Sequence, residues 1–189
     1  MKHIGILGGT FDPPHIGHLM IAEEVRFTLK LDEIWFVPTA DPPHKRTAHA
    51  TSKERIEMVR LMIEDEPAFN INLIDIKRGG TSYTYETLNE LKKLFPNDQF
   101  YFIIGADMVE YLPHWYKIND LMKLTTFVGV KRSGYTLKTS YPIMTVDVPV
   151  FEVSSSDIRK RIRTGRPAKY LVKEAVYSYI KERGLYESC

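Results

Sequence analysis

Cysteine is almost missing from this chain: of 189 residues only Cys189 carries a thiol. A disulfide framework is therefore excluded, as is a buried thiol nucleophile, and a reducing cytosolic compartment is the expectation. Long apolar runs are missing too. No stretch nears the roughly 18 apolar residues of a spanning helix. The opening run, residues 4–7, is cut by Gly8-Gly9 before it reaches the length of a signal peptide, so neither a membrane segment nor a leader is expected. Charge of one sign is not in excess, with 26 Lys and Arg against 24 Asp and Glu and a formal +2. That balance argues against nucleic acid as a partner, although Arg159, Lys160, Arg161, Arg163, Arg166 and Lys169 crowd one short stretch. Hydrophobic residues at 43% and aromatics at 12% exclude a disordered or collagen-like chain and suit a single 1–189 domain that buries its own core.

Short apolar runs alternate with amphipathic stretches. Residues 3–7, 34–37, 71–76, 100–104 and 127–130 read as strands, the third resting on Ile71, Leu73, Ile74 and Ile76. Between them, Leu19, Ala22, Val25 and Leu29 recur at near-helical spacing over 17–29, and a helix is expected over about 84–94. Thr51 and Glu54 form a capping-box pattern ahead of Ile56, Val59, Met62 and Ile63. Strands separated by helices pair in parallel through right-handed crossovers, so the expected class is α/β: a doubly wound Rossmann-like parallel sheet with helices on both faces. From about residue 154 to 189 a small helical segment follows, with a basic helix near 157–163 and a last helix closed at Gly184.

The loop after the first strand reads Gly8-Gly9-Thr10-Phe11-Asp12-Pro13-Pro14-His15-Ile16-Gly17-His18. At the carboxyl end of a parallel strand, glycines let backbone approach phosphate and the next helix N-terminus attracts anions, which marks a phosphate site on geometry alone. Neither G-x-G-x-x-G nor a P-loop occurs in the chain. Instead His15 and His18 share one helical face and can donate to phosphate oxygens, with Gly17 keeping the approach clear. Read as metal ligands they lack a convincing third partner, though His44 and His49 exist. Ser154, Ser155 and Ser156 precede Arg159 at the start of the basic helix. Serines there are ordinary N-caps; hydroxyls, free N–H groups and a guanidinium also make an anion site. Asp107, after Gly105-Ala106, can cap a helix or accept from ribose hydroxyls.

The first loop resembles the signature of the HxGH nucleotidyltransferase superfamily in its long, specific form G-G-T-F-D-P-x-H-x-G-H. Residues 153–159 are similar to the superfamily's I-S-S-T-x-I-R segment, with Val153 for isoleucine and Ser156 for threonine. The resemblance implies transfer of a nucleotidyl group from a nucleoside triphosphate, with pyrophosphate released. It implies that His15, His18, Thr10 and Arg159 act at the phosphates, and that Gly8, Gly9, Phe11, Gly105, Asp107, Ser154, Ser155 and Ser156 bind ATP. Arg132 is implied on the adenine or phosphate side. Magnesium (Mg2+) is implied as the companion of ATP and pyrophosphate, without a carboxylate cage of its own.

The likeness extends through Pro42-Pro43-His44-Lys45, Ser82-Tyr83-Thr84, Phe102 to Asp107, Trp115-Tyr116 and Gly184-Leu185-Tyr186, and over nearly the whole chain it is similar to the bacterial nicotinate-nucleotide adenylyltransferases. The implied acceptor is nicotinate mononucleotide. Nicotinamide mononucleotide and phosphopantetheine are the alternative acceptors, and a nonenzymatic nucleotide-binding module is the reading from another class. Trp115 offers a flat face to a pyridine ring and equally suits core packing. Tyr83 and Thr84 stand where a loop becomes a helix, positioned for the nicotinate carboxylate, with Tyr111 as a further contact. Lys45 suits the mononucleotide phosphate, or a solvated loop. A homo-oligomer is compatible with the sequence, which does not fix the state.

Overall fold

Each strand sends alternate side chains to opposite faces of its sheet, so a strand with apolar residues at every position must be covered on both sides. That is the pattern here. In the computed structural model, which describes residues 1–40, 48–132, 137–149 and 152–187 with the side chain of Arg132 left out, the elements follow in this order. They are β1 His3–Gly9, α1 Ile16–Leu29, β2 Glu33–Pro38, α2 Ser52–Ile63, β3 Phe69–Ile71, α3 Ile74–Arg78, α4 Thr84–Leu94, β4 Gln99–Gly105 and α5 Ala106–Tyr111. A 3-10 turn Leu112–His114 leads to α6 Ile118–Leu124, β5 Thr126–Arg132, β6 Ile143–Val148, α7 Ser155–Arg163 and α8 Glu174–Arg183.

Ile4 and Ile6 of β1, Trp35 and Val37 of β2, and Phe100, Phe102 and Ile104 of β4 pack under Leu88 and Leu91 of α4, Val109 of α5 and Leu121 of α6. On the other face Leu7, Ile34, Phe36, Ile103 and Val128 meet Ala22 and Val25 of α1, Met58 and Met62 of α2, Ile158 of α7 and Ile180 of α8. The sheet has six strands in the order β3-β2-β1-β4-β5-β6, and every pairing is parallel. The strand order reverses at β1, which pairs with β2 on one side and β4 on the other. A crevice opens at the carboxyl ends of two such strands, and it is the place where α/β sheets take ligands.

Two expectations need correction. The third strand ends at Ile71, and Ile74 and Ile76 belong to α3, because Asn72 Oδ1 accepts from Ile74 N–H at 3.0 Å and starts a helical turn there. Asp75, buried between the two isoleucines, then pairs with Arg78 one turn on, at 2.5 Å. The sixth strand was not expected at all. β6 lies at the sheet edge with Met144 exposed and only Val146 deeply buried, so its sequence lacks the apolar run that marks the interior strands. No helix among the described residues is long and apolar enough to cross a membrane.

Arg55 of α2, 1% exposed, fixes the loop ends. Its Nη1 donates to Thr10 O at 2.7 Å, and Nη2 donates to Thr39 O at 2.9 Å and to Ser52 Oγ at 3.0 Å. The segments leaving β1 and β2 are thereby clamped to one guanidinium. Replacing it by methionine conserves much of the volume and strands those acceptors, each buried unsatisfied group costing about 1–3 kcal/mol. Urea unfolding of Arg55→Met should therefore show a loss of about 3 kcal/mol or more. A loss below about 1 kcal/mol would mean that the carbonyls find other donors.

Candidate active site

The site begins where β1 ends. Gly9 makes room for the ring of Phe11, whose backbone turns into the left-handed region at φ 52. The side chain of Phe11 is 2% exposed and lies edge-on beneath His18, centroids 5.0 Å apart. Phe11, which the resemblance implied at the ATP site, carries a buried ring that supports His18 from the core. His15 is the N-cap of α1 in extended conformation, and His18 follows one turn later. The two imidazoles stack at 3.7 Å, and the His15 backbone N–H donates to His18 Nδ1 at 3.1 Å. Because Nδ1 of His18 accepts, the proton of the neutral ring sits on Nε2. Gly17 keeps this pair possible: a Cβ there would lie 2.9 Å from Val153 Cγ1 and 3.1 Å from His15 Nδ1. The space that the glycine leaves is filled by the chain's own His15 ring and by the segment before α7.

His15 is buried, its Nδ1 has no hydrogen-bond partner, and burial pushes its pKa down to about 4. It is a neutral imidazole near pH 7, with an unpaired polar atom inside the site.

The second element arrives from far along the chain. Ser154 caps α7 by accepting from Asp157 N–H at 3.1 Å, which frees Ser155 and Ser156 to do other things. Ser155 Oγ donates to Pro13 O at 2.8 Å. Arg159 donates through Nη1 to Asp12 O at 2.6 Å and through Nη2 to Ser156 Oγ at 3.2 Å. The serine-rich helix start and the histidine loop therefore share direct hydrogen bonds, and Arg159 keeps about a quarter of its side chain exposed, 23%.

A cavity of about 490 Å³ opens beside the histidine pair, lined by His15 and Gly17 of the α1 start, Gly105 and Asp107 at the end of β4 and the start of α5, Lys131 of β5, and Val153 ahead of α7; Ser156 and Arg159 line a separate cleft with His49 and Tyr186. Gly105, not Asp107, is the N-cap of α5, so Asp107 stands in the first turn facing the cavity. Open space lies around Gly105, where a Cβ would meet nothing within 4 Å. Thr10 contributes its carbonyl to Arg55, and Gly8 lies against the ring of Phe102.

On the opposite side of β1 and β4, Trp115 packs edge-on against Phe102 and Phe127 at 6.0 and 5.8 Å, while remaining half-buried. Both roles weighed for it, core packing and an offered ring face, are compatible with that position. Tyr83 is the N-cap of α4 and Thr84 its first residue; Tyr83 lies 5.0 Å from the exposed ring of Tyr116. Ser82 Oγ accepts from Ala40 N–H at 3.0 Å and so brings the α4 start beside the end of β2. Tyr111 is exposed against His114. Lys45, with Pro42, Pro43 and His44, lies outside the described residues, and so does the side chain of Arg132.

Sequence reasoning missed three residues that organise the site: Asp12, Arg55 and Tyr186. Asp12 sat in full view inside the motif, flanked by Phe11 and Pro13, and a carboxylate in so apolar a setting has to be buried and paired. Lys131, which the sequence reading did not single out, also lines the cavity.

Residues 6–161 match the family model described as cytidylyltransferase-like. The chain is 52% identical over 189 residues to the nicotinate-nucleotide adenylyltransferase of Bacillus subtilis (strain 168), with 100% of each covered. It is 57% identical over 189 residues to the Bacillus cytotoxicus protein named "Probable nicotinate-nucleotide adenylyltransferase", again with 100% of each covered. Among solved structures it is similar to Plasmodium falciparum nicotinic acid mononucleotide adenylyltransferase complexed with NaAD, at TM-score 0.82 and 25% identity over 99% of this chain and 98% of that one.

Burial of neutral His15 has a measurable cost in acid. The folded pKa of about 4 lies below the ordinary 6.5, so the unfolded chain takes up the proton first and stability falls as pH drops between those values. From pH 7 to pH 4 the wild type should lose on the order of 3 kcal/mol more than His15→Asn in denaturant unfolding. Equal losses would show that the ring protonates without leaving its place.

Proposed function

The chain belongs to the cytidylyltransferase-like family, and from that membership we infer that it transfers the adenylyl group of ATP to nicotinate mononucleotide, giving deamido-NAD and pyrophosphate in NAD biosynthesis. The observation that carries the reading is the pair of hydrogen bonds from Ser155 and Arg159 to the carbonyls of Pro13 and Asp12. They join two elements suited to anions, which supports their acting on one triphosphate.

The acceptor phosphate oxygen attacks the α-phosphorus in line, the bond to the bridging oxygen breaks, and pyrophosphate departs with its electron pair. A phosphate is already a competent nucleophile near neutral pH, so no general base is required of either histidine. The protein's work is to hold two mutually repelling anions in register and to offset charge as it builds on the bridging oxygen. His18, its proton on Nε2, and neutral His15 donate at the α-phosphate, with Thr10 beside them. Ser155, Ser156 and Arg159 hold the departing pyrophosphate. Gly8 and Gly9 let backbone approach the phosphates, and Asp107 takes the ribose hydroxyls, with Gly105 leaving space for the nucleoside. The acceptor lies across β1 and β4, with its pyridine ring at Trp115 and its carboxylate near the N–H groups of Tyr83 and Thr84.

Magnesium, when bound with ATP and pyrophosphate, supplies further charge neutralisation. The carboxylate of Asp12 is already engaged by N–H and O–H donors, so phosphate oxygens would hold the ion, with no dedicated cage required.

His18→Ala should fold normally and cut turnover by about two to three orders of magnitude, the loss typical of one well-placed donor. Wild-type turnover with saturating acceptor would remove His18 from the chemistry. Pyrophosphate release with ATP and a panel of acceptors tests the substrate: nicotinate mononucleotide should be used in preference to nicotinamide mononucleotide and phosphopantetheine. Preference for either of those would reassign it.

A further inference from the structure

We propose that Tyr186 is a positioning residue for the pyrophosphate end of this reaction, acting through Asp12 on Arg159. The proposal rests on the adenylyl-transfer reading given above.

Tyr186 lies beyond α8 and belongs to neither phosphate-binding motif. Its backbone takes the left-handed conformation at φ 66, uncommon for a residue with a bulky side chain, and its ring is 7% exposed. The hydroxyl reaches 174 positions back and donates to Asp12 Oδ1 at 2.8 Å. Asp12, 4% exposed, also accepts from Ala50 N–H on Oδ1 at 3.0 Å and from His49 N–H on Oδ2 at 2.7 Å. Three donors therefore engage this carboxylate, and none of them is Arg159.

Arg159 is held differently. Its short bond goes to the backbone carbonyl of Asp12 at 2.6 Å, while its Nη1 stands 4.0 Å from Asp12 Oδ2, an ion pair that has not closed. The arrangement orients the guanidinium without neutralising it. A closed carboxylate–guanidinium pair would be a strong charge-assisted interaction, and it would turn N–H groups that could face pyrophosphate toward the protein. Burial of Tyr186 beside the Asp12 carboxylate keeps the phenol protonated as a donor. With the Tyr186 hydroxyl removed, Asp12 Oδ1 keeps only the Ala50 N–H, and Arg159, 4.0 Å from Oδ2, is the cation placed to close on the under-satisfied, buried carboxylate. The cleft on that side is shared by Tyr186, His49, Ser156, Arg159 and Arg163, so the phenol sits at the edge of the same basic surface.

The test uses Tyr186→Phe, which removes one oxygen and no volume, in the reverse reaction that forms ATP from deamido-NAD and pyrophosphate. KM for pyrophosphate should rise about three- to tenfold, the range that one ordinary hydrogen bond commands, while KM for deamido-NAD shifts by less than about twofold. In an Arg159→Lys background the same substitution should add less than about twofold, because a residue that acts through another has no effect once that other is altered. Calorimetric titration of pyrophosphate at low temperature reads the same ratio should Tyr186→Phe melt near the assay temperature. The proposal is overturned if both KM values move together, if neither moves, or if the two substitutions multiply independently. Absence of any ATP formation by the wild type would instead sink the adenylyl-transfer reading, so the two failures are separable.

Discussion

The backbone carbonyls of Asp12 and Pro13 face α7 and receive hydrogen bonds from Arg159 and Ser155 at 2.6 and 2.8 Å, and the placement of the histidine loop against the serine-rich helix start follows from those bonds. Left unpaired, carbonyls in the first loop would add negative potential at the mouth of the sheet. Bonded to a guanidinium and a hydroxyl, they become the means by which a distant helix start is registered against the histidine pair. Arg55 satisfies the Thr10 carbonyl of the same loop, and the N–H groups of His49 and Ala50 engage the Asp12 carboxylate.

Electrostatics and packing serve the same end. Stacking His15 on His18, with Phe11 beneath and Gly17 giving way, holds both rings in one orientation. The cost is a desolvated His15 that stays uncharged. A fixed neutral donor has nothing to reorganise as charge develops, which is the condition under which a polar group contributes most to a transition state. Positive charge stands instead on Arg159 of α7, bonded to the Asp12 carbonyl and to Ser156.

Much of this was legible in the sequence, for identifiable reasons. Four of the expected strands, at 3–7, 34–37, 100–104 and 127–130, are interior strands buried on both faces, and such strands must be apolar at successive positions. The Thr51–Glu54 capping box and the Gly184 helix stop are local devices whose chemistry is written in a few adjacent residues, and both are present. β6 escaped because an edge strand needs only one buried side chain, and 71–76 misled because its isoleucines carry no information about the Asn72 turn that redirects them. The same distinction holds in the site. His15, His18 and the serines announce themselves by type and spacing, whereas Tyr186 matters only through a hydroxyl whose partner lies near the other end of the chain. Pattern reading finds periodic and local causes; a contact between distant positions leaves no period behind.

The span of those contacts also bears on how the protein is made. Asp12 is joined to Arg159 across 147 positions and to Tyr186 across 174. Closing loops of that size is entropically unfavourable until the intervening sheet has formed, so these bonds come late in folding. A nascent chain that ends at α1 holds His15 and His18 but neither Arg159 nor Tyr186. Asp12 therefore acquires both partners only with the docking of α7 and the turn after α8, so the first loop is completed by the last part of the chain to be made.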